Sequence, residues 1–465
     1  MNNPAFVSPD SIRAQFSRAM SDLYKSEVPL YGTLLELVAQ INAQVLQRQP
    51  EVAEHLRITG EIERLDVERH GAIRLGTANE LSTIRRLFAV MGMQPVGYYD
   101  LAPAGVPVHS TAFRAIHEVS LQASPFRVFT SLLRLELIED AELRTMAADL
   151  LTRRRIFTPR AIELIEQCEA AGGLQAAEAD EFVGEALETF RWHTRATVSA
   201  EQYRQLHDQH RLIADVVAFK GPHINHLTPR TLDIDAIQAG MPQQGITPKA
   251  VIEGPPRRNC PILLRQTSFK ALQEAVAFVG QDGPQGSHTA RFGEIEQRGA
   301  ALTPKGRELY DRLLDSTREA LGETPSEANA ERYDALMAEH FQAFPDSHEA
   351  MRRDGLAYFR YFATSEGIAA AEQRNRPRQL DALIEAGHVR YEPLVYEDFL
   401  PVSAAGIFQS NLGEGAQVDY AIDSNQADFQ AALGARVQDE LSLYADTQRR
   451  SLDACAEALQ LDTLS

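Results

Sequence analysis

The chain has 465 residues, 44% hydrophobic and 24% charged, with 28 glycines and 23 prolines. That composition excludes a disordered, collagen-like or fibrous chain, and at roughly 100 to 200 residues per domain the length leaves room for several structural units. With 46 Lys and Arg against 65 Asp and Glu, the formal charge is −19, and only short basic patches such as Arg153-Arg154-Arg155 interrupt it, so nucleic acid is not an expected partner.

Three cysteines, Cys168, Cys260 and Cys455, are too few for a disulfide framework and point to a reducing compartment. The first ten residues lack a basic region followed by an apolar run, and nothing later approaches the ~20 apolar residues needed to cross a bilayer. The expected location is the cytoplasm, and a membrane is not an expected partner. An anionic substrate entering this acidic field would need local cations, which draws attention to any arginine placed in a pocket.

In chain order, residues 1–55 read as a helical segment, with Tyr31, Leu34, Leu35, Val38, Ile41 and Val45 on one helical face. Residues 56–123 change to a strand, helix, strand unit, with extended runs at 62–75 and 95–101 around a helix at 80–91. Residues 124–215 are expected to be a helical insert: 132–151 has helical periodicity, and Thr158-Pro159 has the form of an N-cap followed by proline.

A second strand, helix, strand unit is expected within 216–302, where Gly221-Pro222 and Thr228-Pro229 bracket a short extended run at 223–227. In both units a His-bearing strand leads to a helix ending in Gly-Met, at Gly92-Met93 and Gly240-Met241, as when glycine supplies a left-handed cap. Residues 303–386 read as helical, with caps at Thr303-Pro304 and Thr324-Pro325. Strand and loop follow over 387–425, and 426–465 is a helical tail.

No Gly-rich phosphate loop, dinucleotide fingerprint, nucleophile elbow, Cys-x-x-Cys or His-Glu-x-x-His motif is present in the sequence. What remains is polar residues on strands. On a strand, His70, Ala72 and Arg74 share one face, so an imidazole projects beside a guanidinium; on a helix they would still be neighbours, at i and i+4. A neutral imidazole is a metal ligand, and a guanidinium offers a planar fork to a carboxylate. In the extended run, His223 and His226 face opposite ways, so only one can enter a given site. Along 291–296, Phe292, Glu294 and Glu296 share a face, and the sequence alone does not separate the two carboxylates. Two histidines and one carboxylate from three strands would form the facial triad that leaves positions of an octahedral iron open.

Arg-His-Gly-Ala-Ile-Arg (69–74), Gly-Pro-His-Ile-Asn-His-Leu-Thr-Pro-Arg (221–230), Arg-Phe-Gly-Glu-Ile-Glu-Gln-Arg-Gly (291–299) and Tyr-Glu-Asp-Phe-Leu-Pro-Val-Ser-Ala-Ala-Gly-Ile-Phe (396–408) together resemble the 2-oxoadipate dioxygenase/decarboxylase family, also called 2-hydroxyglutarate synthases. The resemblance spans most of the chain in order. It implies an α+β, vicinal-oxygen-chelate-like fold, in which βαββ modules form an open barrel-like sheet around a metal and large helical insertions interrupt them. The units at 56–123 and 216–302 would be the metal-binding modules, and 387–425 would carry the final strands and a substrate loop.

The resemblance further implies Fe(II) held by His70, His226 and Glu294, with Arg74 the catalytic-site arginine that binds substrate. His70, His226, Val402 and Ser403 would also contact substrate, valine through its main chain. His223 is left as a pocket-lining candidate and Glu296 as a structural carboxylate. The implied reaction converts 2-oxoadipate and O2 into D-2-hydroxyglutarate and CO2, in lysine catabolism. Two rival readings remain: a metal-dependent lyase or isomerase on the same fold that uses no O2, and a largely helical interaction protein whose metal is only structural.

Overall fold

The computed structural model describes residues 6–464 apart from 271–272, 282, 284, 290, 372–376 and 401–421. Its largest sheet has five strands, β1 (Arg69–Leu75), β2 (Gln94–Asp100), β3 (Val108–Arg114), β4 (Arg127–Leu133) and β5 (Leu227–Pro229), in the order β2-β3-β4-β1-β5. β1 runs parallel to β4 and antiparallel to β5, while β3 is antiparallel to both β2 and β4. Beyond β5, a parallel bridge from Arg230 to Glu296 leads to β9 (Glu294–Arg298), which pairs with β6 (Leu264–Ser268). The layer is therefore open, and this bridge joins the five-stranded sheet to the β6–β9 pair. Separate two-stranded sheets are formed by β7 (Gln273–Val276) with β8 (Gly286–Thr289) and by β10 (Phe359–Ala363) with β11 (Val389–Pro393).

The first module runs strand, helix, strand, strand, short helix (Glu118–Ala123), strand. Its first helix, Ala78–Val90, starts where the Thr77 side chain accepts the Glu80 N–H, and it buries Leu81, Ile84, Leu87 and Phe88. It stops at Gly92, whose φ of +67° turns the chain back so that the Met93 N–H reaches the Phe88 carbonyl. Alternation along β1 then decides which side of the sheet does what. Ile73 and Leu75 face the N-terminal helices Pro9–Glu27 and Pro29–Arg48, joining Phe16, Met20, Tyr24 and Leu34 in one core. His70, Ala72 and Arg74 take the other face, where Ala72 packs with Ala112, Phe129 and Phe399. A further core gathers 262–264, 300–302, the helix Pro304–Leu321, β10, β11 and the helix Glu440–Ala458.

Several expected elements differ. The segment expected to be a helical insert opens with β4, the strand at the centre of the sheet. All seven of its residues are buried, so both faces are covered and the alternation that marks a half-exposed strand is missing. Helix begins only at Ala141, capped by Asp140, rather than at 132. Residues 62–67 are turns, so the strand expected from 62 starts at Arg69, and the helix Arg211–Val217 runs past 216, where a strand was expected. Gly240 has φ −82° and supplies no left-handed cap; a 3-10 turn follows and Gly245, at φ +72°, takes that role, so the parallel with Gly92 fails. Thr324-Pro325 starts no helix, the next being Ala330–His340 after Asn329, and β10 interrupts the stretch expected to be helical. The C-terminal helices Ile422–Leu433 and Glu440–Ala458 match the expected helical tail.

Candidate metal centre

His70 projects from β1, His226 stands one residue before β5, and Glu294 opens β9, so the triad forms at the β5–β9 junction. One ligand atom from each lies within 4.8 Å of the others. His70 Nε2 is 3.1 Å and His226 Nε2 3.5 Å from the same oxygen, Glu294 Oε2, which also accepts a 2.9 Å hydrogen bond from the Thr228 hydroxyl. Burial disfavours charge on His226 and holds its imidazole down at about 4, despite Glu294 nearby, so its lone pair is free at neutral pH. Burial alone would push the Glu294 carboxyl up; His226 and the His70 hydrogen bond instead hold it at about 2.

His70 stands between two carboxylates. Its Nδ1 is 2.9 Å from Glu296 Oε2, opposite the Glu294 contact, and although burial works against the charged form, Glu296 and Glu294 raise its pKa. A cation at the triad would take the place of the proton on Nε2, leaving Glu296 to hold the other nitrogen, the arrangement by which carboxylates orient metal-binding imidazoles. Two imidazoles and one carboxylate, converging from three elements with His70 and Glu294 buried and His226 partly so, suit a divalent transition metal.

Behind His70 lies a buried charge lattice. Arg64 bonds both Glu68 and Glu397; Arg127 also bonds Glu68 and Glu397; Arg230 pairs with Glu61 and Glu68; and Arg298 forks onto Glu296 at 2.8 Å through both nitrogens. Arg114 likewise forks onto Asp398, which accepts a third bond from the Tyr444 hydroxyl. These pairs fix residues 397–399 over the sheet, and Phe399 packs against His70 with ring centroids 4.8 Å apart.

Arg74 shares the His70 face of β1, as alternation predicts. Its side chain is 27% exposed, and Nη1 donates to Asp215 Oδ2 at 2.7 Å. Asp215 gathers more partners: His288 Nε2 donates to Oδ1 at 2.8 Å, His223 Nε2 lies 3.3 Å from the same oxygen, and the Tyr203 hydroxyl donates to His288 Nδ1 at 2.7 Å. Although burial works against its charge, His223 and Arg74 hold the Asp215 carboxyl well below the usual range. His223 thus belongs to the arginine's surroundings and His226 to the triad, in line with the divergence expected of an extended run. Sequence reasoning missed Asp215, His288 and Tyr203, which no motif marks. Val402 and Ser403 lie outside the described residues.

The family model for 2-oxoadipate dioxygenase/decarboxylase matches residues 16–411. The chain belongs to the 2-oxoadipate dioxygenase/decarboxylase family. It is 73% identical over 459 residues to the 2-oxoadipate dioxygenase/decarboxylase of Pseudomonas putida, covering 99% of each chain. It is 57% identical over 449 residues to the enzyme of that name from Escherichia coli, covering 97% of this chain and 98% of that one. The crystal structure of the Pseudomonas putida hydroxyglutarate synthase in complex with 2-oxoadipate superposes with a TM-score of 0.93 at 72% identity, over 98% of this chain and 99% of that one. Within this family the chain is an enzyme of mixed α+β fold with open sheets, and no helix among its described residues is long and apolar enough to cross a membrane.

Proposed function

We propose that this chain binds Fe(II) through His70, His226 and Glu294 and converts 2-oxoadipate and O2 into D-2-hydroxyglutarate and CO2, in the cytoplasm and in lysine catabolism. The observation that carries the reading is the meeting of His70, His226 and Glu294 on the sheet face that also presents Arg74. Family membership and the Pseudomonas putida complex with 2-oxoadipate support the substrate.

Fe(II), when bound, supplies a Lewis-acidic, redox-active centre with positions left for a chelating 2-oxo acid and for O2. The chain's own residues do the rest. Glu294 brings the anionic ligand, and His226 brings an imidazole already neutral at physiological pH. Arg74 takes the distal carboxylate of 2-oxoadipate in a charge-assisted pair, with Asp215 fixing one edge of its guanidinium. His70 and His226 flank the chelating end, and Val402, through its main chain, with Ser403 completes the substrate contacts. Phe399 against His70 and Phe292 against His226 shield the ligands from water.

The test is incubation of iron-reconstituted protein with 2-oxoadipate, in air and under anaerobic conditions, scoring CO2 and 2-hydroxyglutarate with chiral separation of the product. Equimolar CO2 and D-2-hydroxyglutarate in air alone is the expected result. Turnover of 2-oxoadipate without O2 would favour the lyase or isomerase and overturn the proposal.

A further inference from the structure

The inner face of the five-stranded sheet is laid out in rows. Register places His70 beside Arg127, Ala72 beside Phe129 and Arg74 beside Ser131. Across β4 and β3 the second and third rows continue as Phe129 with Ala112 and Ser131 with Ser110. The first row is ionic. The second is wholly apolar. The third is polar, the Ser131 and Ser110 hydroxyls being bonded at 2.8 Å. Successive rows are two residues apart along the strand, about 6.6 Å.

A roof covers the middle row. Glu397 and Asp398, held by Arg127 and Arg114, deliver Phe399 to within 5.1 Å of the Phe129 ring, centroid to centroid. Ala72, Phe129 and Phe399 keep 8%, 7% and 8% of their surface exposed.

We propose that Ala72, Phe129 and Phe399 form the strip that measures the methylene chain of the substrate, with Ala72 a specificity-determining residue. The proposal rests on the reading above, in which the triad and Arg74 hold the two ends. Because both end groups project from β1, neither end slides relative to the other, and an acid with one methylene more or fewer must arch or fall short. Ala72 sets the height of the floor between them. Its backbone cannot retreat: the strand is hydrogen-bonded into the sheet, and the Ala72 carbonyl accepts the Asn225 N–H at 3.0 Å. A larger side chain there lengthens the path between fixed ends and favours the longer homologue.

The experiment compares kcat/KM for 2-oxoglutarate, 2-oxoadipate and 2-oxopimelate in iron-loaded wild type, Ala72→Val and Phe129→Leu, with iron content measured for each. Ala72→Val is expected to raise the ratio of 2-oxopimelate to 2-oxoadipate at least tenfold at unchanged iron content. Phe129→Leu, which loosens the floor, is expected to cut the preference for 2-oxoadipate over both neighbours about tenfold, and it decides the matter alone if Ala72→Val does not fold. Ratios within twofold of an active wild type overturn this proposal and leave the functional reading standing. A wild type inert toward all three acids overturns both.

Discussion

On the proposed assignment of Arg74 to the distal carboxylate, removing its guanidinium separates recognition of that group from metal binding. Truncating one partner of a hydrogen-bonded charge pair costs about 2 to 5 kcal/mol. Arg74 is 27% exposed, so solvent screening places it at the lower end. A loss of about 2 to 3 kcal/mol, at 1.36 kcal/mol per decade, corresponds to a drop in kcat/KM of about 30- to 150-fold. The fold should tolerate the change, because Asp215 keeps His288 and His223 beside it. The assay is oxygen uptake by iron-loaded Arg74→Ala with 2-oxoadipate, set against 2-oxohexanoate, which has a methyl group where the distal carboxylate stands. The variant should lose the first activity, keep the second within a few-fold and retain full iron. Wild-type kcat/KM for 2-oxoadipate in Arg74→Ala would refute the assignment.

Glu296→Gln weakens the contact that orients His70 and should lower iron affinity about 10- to 100-fold, measured by competition with a chelator; unchanged affinity would show that Glu296 serves only Arg298. Arg114→Ala leaves the buried Asp398 carboxylate with Tyr444 and without its fork, and should cost about 3 to 5 kcal/mol in urea unfolding; an unchanged midpoint would contradict this. Burial raises the Glu253 carboxyl from 4.5 to about 8, with Lys249 and the Gln266 hydrogen bond opposing. A carboxyl raised in the folded state contributes stability at pH below its unfolded value and loses it as pH rises toward 8. The Glu253 contribution to stability should thus fall between pH 4.5 and 8, by at most about 5 kcal/mol, and Glu253→Gln should be the more stable protein at pH 8.5 but not at pH 4. Parallel melting curves at both pH values would sink that account.

What the sequence disclosed follows the physics of each signal. The pairing of His70 with Arg74 was legible because a period of two keeps alternate residues on one face whatever the strand's neighbours. Glu294 and Glu296 share a face for the same reason, and what divides them is tertiary: Thr228 and His226 stand beside one carboxylate, Arg298 and Arg127 beside the other. β4 was hidden because a strand buried on both faces loses its alternation. The Asp215 cluster was hidden because its members come from two helices, a loop and a hairpin brought together only by the fold.

Charge explains how an acidic chain presents a cationic site to a dianion. Arg64, Arg127, Arg230 and Arg298 stand against Glu61, Glu68, Glu296 and Glu397, so the lattice behind His70 is neutral as a whole and cancels its own field within a few ångströms. The Arg74–Asp215 pair is also neutral, yet its positive member alone is partly exposed, while Asp215 is buried behind it. A divalent ion held by the triad would, against the single charge of Glu294, leave the other end net positive. Both ends of a dicarboxylate bound as proposed would then meet a local cation, and the net −19 of the chain, screened beyond about 8 Å, opposes entry only weakly. Apolar residues in place of Arg298 and Arg127 would strip Glu296 of its arginine counter-charges, so that it would draw a proton in place of orienting His70.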